Sequence, residues 1–160
     1  MTKCILNAQV FTSSISYPSN PHYDITLHRN KGVSMQADKI TKENIKVLVM
    51  NFYAKILKDD VVGPIFIAKL GDDMESEHWV LHLESILNFW NSLALGERNY
   101  NGNLFLPHTQ LGKLKRENFE RWLKLFAETL DEVYIPAIAE KFKERSMIIA
   151  GNFMRNLGIE

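Results

Sequence analysis

The chain is 160 residues long, 46% hydrophobic and 24% charged, with 19 basic and 19 acidic side chains that cancel. That length suits one domain with its own core, so much Leu, Ile, Val and Phe excludes disorder over most of it, and neutrality argues against nucleic acid as a partner. No apolar run reaches the roughly 18–20 residues of a membrane span, and the lone Cys4 excludes an internal disulfide scaffold while fitting a reducing cytoplasm.

Residues 1–38 carry little charge and no lasting helical or strand period, and Ser13 to Pro21 is rich in Ser and Pro. The expectation is a disordered N-terminal extension ahead of a domain over 39–160. Lys3 before Cys4-Ile5-Leu6 has the outline of a secretory signal, but Asn7 and Gln9 break the apolar stretch and no clean small-residue cleavage site follows. Lys31-Gly32-Val33 can be encoded by codons containing AAAGGAG, which resembles a bacterial ribosome-binding sequence just ahead of Met35. A third reading, beside a disordered tail and a signal peptide, is that translation starts at Met35 and the native protein lacks this segment; a native mass that includes residues 1–34 would overturn it.

From Ile40 onward the pattern is helical. Thr41 is placed to cap a first helix whose apolar positions Ile45, Leu48, Val49, Phe52, Tyr53, Ile56 and Leu57 follow helical spacing to an end near Asp59-Asp60. Gly63-Pro64-Ile65-Phe66 reads as a corner. A second helix begins between Asp73 and Ser76, carries Trp79, Leu83, Ile86, Trp90 and Leu93 on one stripe, and stops at Gly96 and the run Asn99 to Asn103. Leu104 to His108 reads as a short irregular piece. A third helix covers about Arg116 to Tyr134, with Phe119, Trp122, Leu123, Phe126, Leu130 and Val133 inward. Pro136 suits the first turn of a fourth, which carries Ile138, Phe142, Ile149 and Phe153 to near Gly158. With no lasting alternation and no internal repeat, the fold class is all-α.

Chemistry on such a scaffold starts with histidine. His22 and His28 fall in the extension. His78 and His82 are four apart, a spacing that suits zinc, although no third ligand is evident and a solvated face is the plainer reading. His108, after Pro107, reads on its own as a loop residue. Aromatic side chains recur inward on three helices and serve equally as core filler. Tyr53 and Trp122, however, carry polar tips that need partners when buried. A ligand with acceptor atoms would satisfy both if they faced a common space.

From about Ile40 to Leu157 the chain resembles the truncated haemoglobins, the third group in particular. The matching pieces are Phe52-Tyr53-Ala54-Lys55, Gly63-Pro64-Ile65-Phe66, His82 with Asn88-Phe89-Trp90, Tyr100-Asn101-Gly102, His108 with Leu111, and Phe119 through Phe126. The other groups carry paired glycines at helix corners, and none occurs here. The chain departs from the family in its long N-terminal segment and at Gly112-Lys113-Leu114-Lys115, where relatives tend to have prolines.

The resemblance implies a globin-like two-over-two helical sandwich around a non-covalently held haem b. It makes His108 the proximal iron ligand and places Tyr53, His82 and Trp122 on the distal side. Phe66 would pack against the porphyrin, with Phe52 and Trp90 supporting the pocket. Neutral imidazole is a usual axial ligand, its second nitrogen needs an acceptor that the sequence does not identify, and the absence of Cys-x-x-Cys-His excludes c-type attachment.

The distal trio sets the expected chemistry. A diatomic ligand such as oxygen gathers negative charge at haem, and a Tyr hydroxyl and an indole N–H donating to it contribute roughly 1.5–3 kcal/mol each. At about 1.4 kcal/mol per factor of ten, two donors slow release by orders of magnitude. That favours redox work or detoxification over bulk transport: nitric oxide dioxygenation, peroxidase-like peroxide reduction or ligand sensing, with a reductase as partner. His82 would gate access or supply a proton, its plainer role being a helix residue turned to solvent. The competing class is a haem-free helical module that binds a partner protein or holds zinc on His78 and His82.

Overall fold

The computed structural model describes residues 35–98, 100–103, 105–109 and 111–159. The expected extension, up to residue 34, lies outside them. Six helices follow one another: α1 (Lys42–Ile56), α2 (Gly63–Leu70), α3 (Glu77–Leu95), α4 (Phe105–His108), α5 (Arg116–Val133) and α6 (Pro136–Leu157). Among the described residues the one departure from helix and loop is an isolated bridge between Ala37 and Tyr134. Helix α1 packs on α3 and α5, and α5 packs on α6. The four long helices thus form the two-over-two sandwich of a globin-like fold.

Several of the long helices begin and end on the signals in their sequence. Thr41 caps α1 through a reciprocal pair, its N–H donating to Asn44 Oδ1 at 2.9 Å and its Oγ1 accepting from Asn44 N–H at 3.3 Å. The Asn44 Oδ1 also accepts from the Tyr134 hydroxyl at 2.6 Å, while Ala37 N–H donates to Val133 O at 2.8 Å and Ile135 N–H to Ala37 O at 3.1 Å. These bonds stitch residues 37–44 to the end of α5. Gly96 and Gly158 end α3 and α6 in the left-handed conformation that an L side chain resists.

Three details depart from the sequence pattern. Gly63 to Phe66 opens a helix, because Pro64 sits in its first turn, where a fixed φ suits a helix and a missing N–H costs nothing. The glycine ahead of it allows the close approach: a Cβ at Gly63 would lie 2.8 Å from the Ile56 carbonyl oxygen. Residues 105–108 form a single helical turn. Leu93, expected inward, is 40% exposed, since it sits about 60° around α3 from Trp90, on the side away from Leu83.

The core gathers Ile45, Leu48, Val49, Phe52 and Ile56 of α1 with Trp79, Leu83 and Trp90 of α3, Phe126 and Leu130 of α5 and Phe142 of α6. Trp79 is fully buried, and its indole N–H donates to Gly71 O at 2.8 Å, which ties α3 to the turn that precedes it. On α6 the buried face runs Ala139, Phe142, Ser146, Ala150 and Phe153, with Ile138 and Ile149 at its margins. The small residues Ser146 and Ala150 leave space instead of filling it. Ser146 is satisfied within its own helix, donating to Lys143 O at 2.8 Å.

Candidate functional site

That space is part of an apolar pocket that holds about 1000 Å³ out to its solvent-facing mouth. Every helix contributes to its wall. All seven residues singled out in the sequence line it: Phe52, Tyr53, Phe66, His82, Trp90, His108 and Trp122. Its aromatic side is a continuous stack. Trp90 lies on Phe126 (5.1 Å between centroids, 20° between planes), and Phe126 lies on Trp122 (5.1 Å, 24°). Phe52 meets Tyr53, Trp122 and Phe126 edge-on at 5.0, 5.0 and 5.1 Å.

The polar tip of His82 in this wall lacks a partner among the described residues. Tyr53 is 3% exposed, and among the described residues its hydroxyl finds no hydrogen bond; burial pushes its phenol above the ordinary range. The His82 ring is enclosed by Tyr53 at 5.0 Å, Trp79 at 5.7 Å and Phe66 at 6.2 Å. Its Nε2 is buried with no partner among the described residues. Burial above all, and the His108 charge secondarily, pull the His82 pKa down to about 4, so the ring is neutral at neutral pH. The half-buried Trp122 indole likewise has no hydrogen-bond partner among the described residues. In place of the plainer reading of a helix residue turned to solvent, the ring of His82 lines the pocket with its Nε2 buried, held among aromatic side chains of α1, α2 and α3.

His108 closes α4, and its ring rests on Phe153 of α6, with centroids 4.4 Å apart and planes at 45°. His78, one turn from His82, is exposed. Among the described residues no group of three His, Cys, Asp or Glu side chains is placed to hold a metal ion, so a zinc site on His78 and His82 finds no third ligand there. Nor is any helix of the described residues long and apolar enough to cross a membrane.

Beside the pocket, an ion pair joins the corner after α1 to α5. The Asp59 side chain is 4% exposed, and its Oδ1 accepts from Val61 and Val62 N–H at 3.0 Å each. Arg121 Nε donates to the other oxygen at 2.6 Å. Burial pushes this carboxyl up, but the Arg121, Val62 and Val61 donors outweigh it and hold the carboxyl below its usual range.

Sequence reasoning missed Phe153, Ser146, Ala150 and Asn118 as parts of the wall. The two small residues on an inward helix face were a readable signal, since a packed interior seldom leaves voids and a small residue where a large one is expected leaves space. The contact of Phe153 with His108 had none, being a pairing of residues 45 positions apart in sequence.

Fold and site together define a globin: a two-over-two helical sandwich around an aromatic-walled pocket lined by His82 and His108. The group 3 truncated haemoglobin of Campylobacter jejuni is 38% identical over 123 residues, a match that covers 77% of this chain and 95% of that protein. The crystal structure of a group III truncated haemoglobin from Campylobacter jejuni superposes with a TM-score of 0.71 at 38% identity, over 77% of this chain and 95% of that one. No family model matches the chain. The chain belongs to the group 3 truncated haemoglobins.

Proposed function

We propose that this globin holds a haem of the b type non-covalently in the pocket, with His108 as the ligand of its iron. It serves oxygen and related diatomic ligands in redox or detoxification chemistry rather than bulk transport. The observation that carries this reading is that His82 Nε2 is buried without a partner among the described residues, in an apolar pocket that Tyr53 and Trp122 also line. Buried polar groups are ordinarily hydrogen-bonded, so an unpaired imidazole nitrogen in a pocket also lined by a phenol and an indole points to a polar ligand there. The wall suits a flat, largely apolar group: the Trp90–Phe126–Trp122 stack, Phe52 and Phe66 offer faces and edges, and His108 is the nitrogen ligand that such a group's iron takes.

When bound, the haem supplies an iron that takes a diatomic molecule and exchanges electrons. The side chains do the rest. Tyr53 and Trp122 donate hydrogen bonds to negative charge that develops on the ligand, and a neutral His82 donates or accepts at Nε2. Phe153 fixes the rotation of the His108 ring. Exclusion of water by the aromatic wall strengthens each of these bonds. Nitric oxide and peroxide are the substrates this donor set favours, with a reductase to supply electrons and the cytoplasm as the compartment suited to a chain with one cysteine.

The test is oxygen dissociation by stopped flow from the haem-loaded protein. Slow release by the parent, faster in Tyr53→Phe and in Trp122→Phe, supports the reading, and equal rates in all three overturn it.

A further inference from the structure

The pocket is separated from solvent, at one place, by a wall a single residue thick. Outside it lies a polar groove between the α1–α2 corner and the first turns of α5, whose lining includes Asp60, Val61, Glu117, Asn118 and Arg121. Asn118 lines both the groove and the pocket. At the corner the division falls between neighbours: Val61 is 42% exposed and lines the groove, while Val62 is 2% exposed and lines the pocket.

Two contacts hold this seam shut. The Asn118 Oδ1 accepts from Lys115 N–H at 2.8 Å, which leaves the half-buried side chain tied by one bond within its own helix end. One turn further along α5, Arg121 reaches across to Asp59, whose other oxygen grips both valine N–H groups of the corner. The corner and α5 are thus clasped by one ion pair, and its guanidinium side is 36% exposed, within reach of water that can compete for it.

We propose that this seam is a second way into the pocket, with Asn118 as its door and the Asp59–Arg121 pair as its latch. It admits small neutral ligands, and this assignment of what passes rests on the haem reading above. The groove carries three carboxylates, Asp60, Glu117 and Glu120, against two cations, Arg121 and Lys124, a balance that disfavours anions, whereas a neutral diatomic molecule crosses without shedding a hydration shell.

The experiment measures carbon monoxide rebinding after flash photolysis in the haem-loaded protein, and oxygen quenching of tryptophan fluorescence in the haem-free protein. The variants are Asn118→Ala, Asn118→Phe and Arg121→Met. Both Asn118 variants lose the bond to Lys115 N–H, so mere loosening of α5 would move them the same way. A door moves them oppositely: Asn118→Ala raises the bimolecular rate by about fivefold, about 1 kcal/mol of barrier, and Asn118→Phe lowers it. Arg121→Met raises it as well, and the quenching constants follow the same order. If Asn118→Ala and Asn118→Phe leave quenching unchanged, or shift it in the same direction, the route is refuted. Absence of any haem complex would refute the haem reading instead, and the haem-free measurement would still decide the route.

Discussion

Tyr53→Phe separates a ligand-binding wall from a merely well-packed one, because it should move stability and ligand retention in opposite directions. The hydroxyl sits on a ring that is 3% exposed and has no partner among the described residues. Burying a hydroxyl without a hydrogen bond costs about 1–3 kcal/mol. Phenylalanine keeps the ring contacts with Phe52 at 5.0 Å, Trp79 at 5.5 Å and Phe66 at 5.7 Å, so nothing else is lost. The haem-free variant should therefore be more stable by about 1 kcal/mol, a rise of roughly 2–4 °C in Tm for a chain of this size. Urea unfolding followed by circular dichroism reads the gain as a higher midpoint at unchanged m. In the haem-loaded protein the same substitution removes a donor to the ligand and should speed oxygen dissociation by about tenfold or more. Equal or lower stability of the haem-free variant would mean that the hydroxyl is already satisfied, and the inference from its isolation would fail.

Two further outcomes follow from the same geometry. Gly63→Ala pushes a Cβ to 2.8 Å from a backbone oxygen that cannot move aside, and should cost about 1–3 kcal/mol; an unchanged Tm would contradict the close approach of α2 to α1. His82, with a folded pKa of about 4 against an ordinary 6.5, binds its proton in the unfolded chain before it does in the folded one. Its contribution is complete above pH 6.5 and is lost as pH falls toward 4, so His82→Leu should flatten the decline of the haem-free protein across that window. Parallel urea midpoints of parent and variant from neutral pH down to 4 would refute the buried, neutral ring.

The long helices were legible because their apolar residues recur on one face and their ends are marked: Thr41 with Asn44, Gly96, Pro136 and Gly158 behave as the caps and breakers their chemistry makes them. Helix α2 was not, since eight residues opened by Gly63-Pro64 carry the same local signal as a turn, and the close approach of Gly63 to the Ile56 carbonyl is a contact between segments. Leu93 shows the limit of a stripe drawn from spacing alone: a residue within a turn of Trp90 lies at the edge of the buried arc and ends up half in water.

The pocket divides in the same way. Its aromatic residues are visible in the sequence, yet composition cannot tell a filled core from a lined cavity. The resemblance to a globin family picked out seven residues, and the fold brings all seven to one wall. What closes the wall, Phe153 against His108 and Asn118 between pocket and groove, arises from contacts between distant segments that no local pattern encodes.

The most direct test of the central claim is a visible spectrum of the purified protein supplied with haem, taken ferric, then reduced, then under carbon monoxide, beside His108→Ala. A strong Soret band that shifts on reduction and again with carbon monoxide, and that is lost or altered in His108→Ala, is the result this account predicts. No Soret band in a protein whose circular dichroism is fully helical would contradict it, leaving a globin fold without haem and a helical binding module as its function.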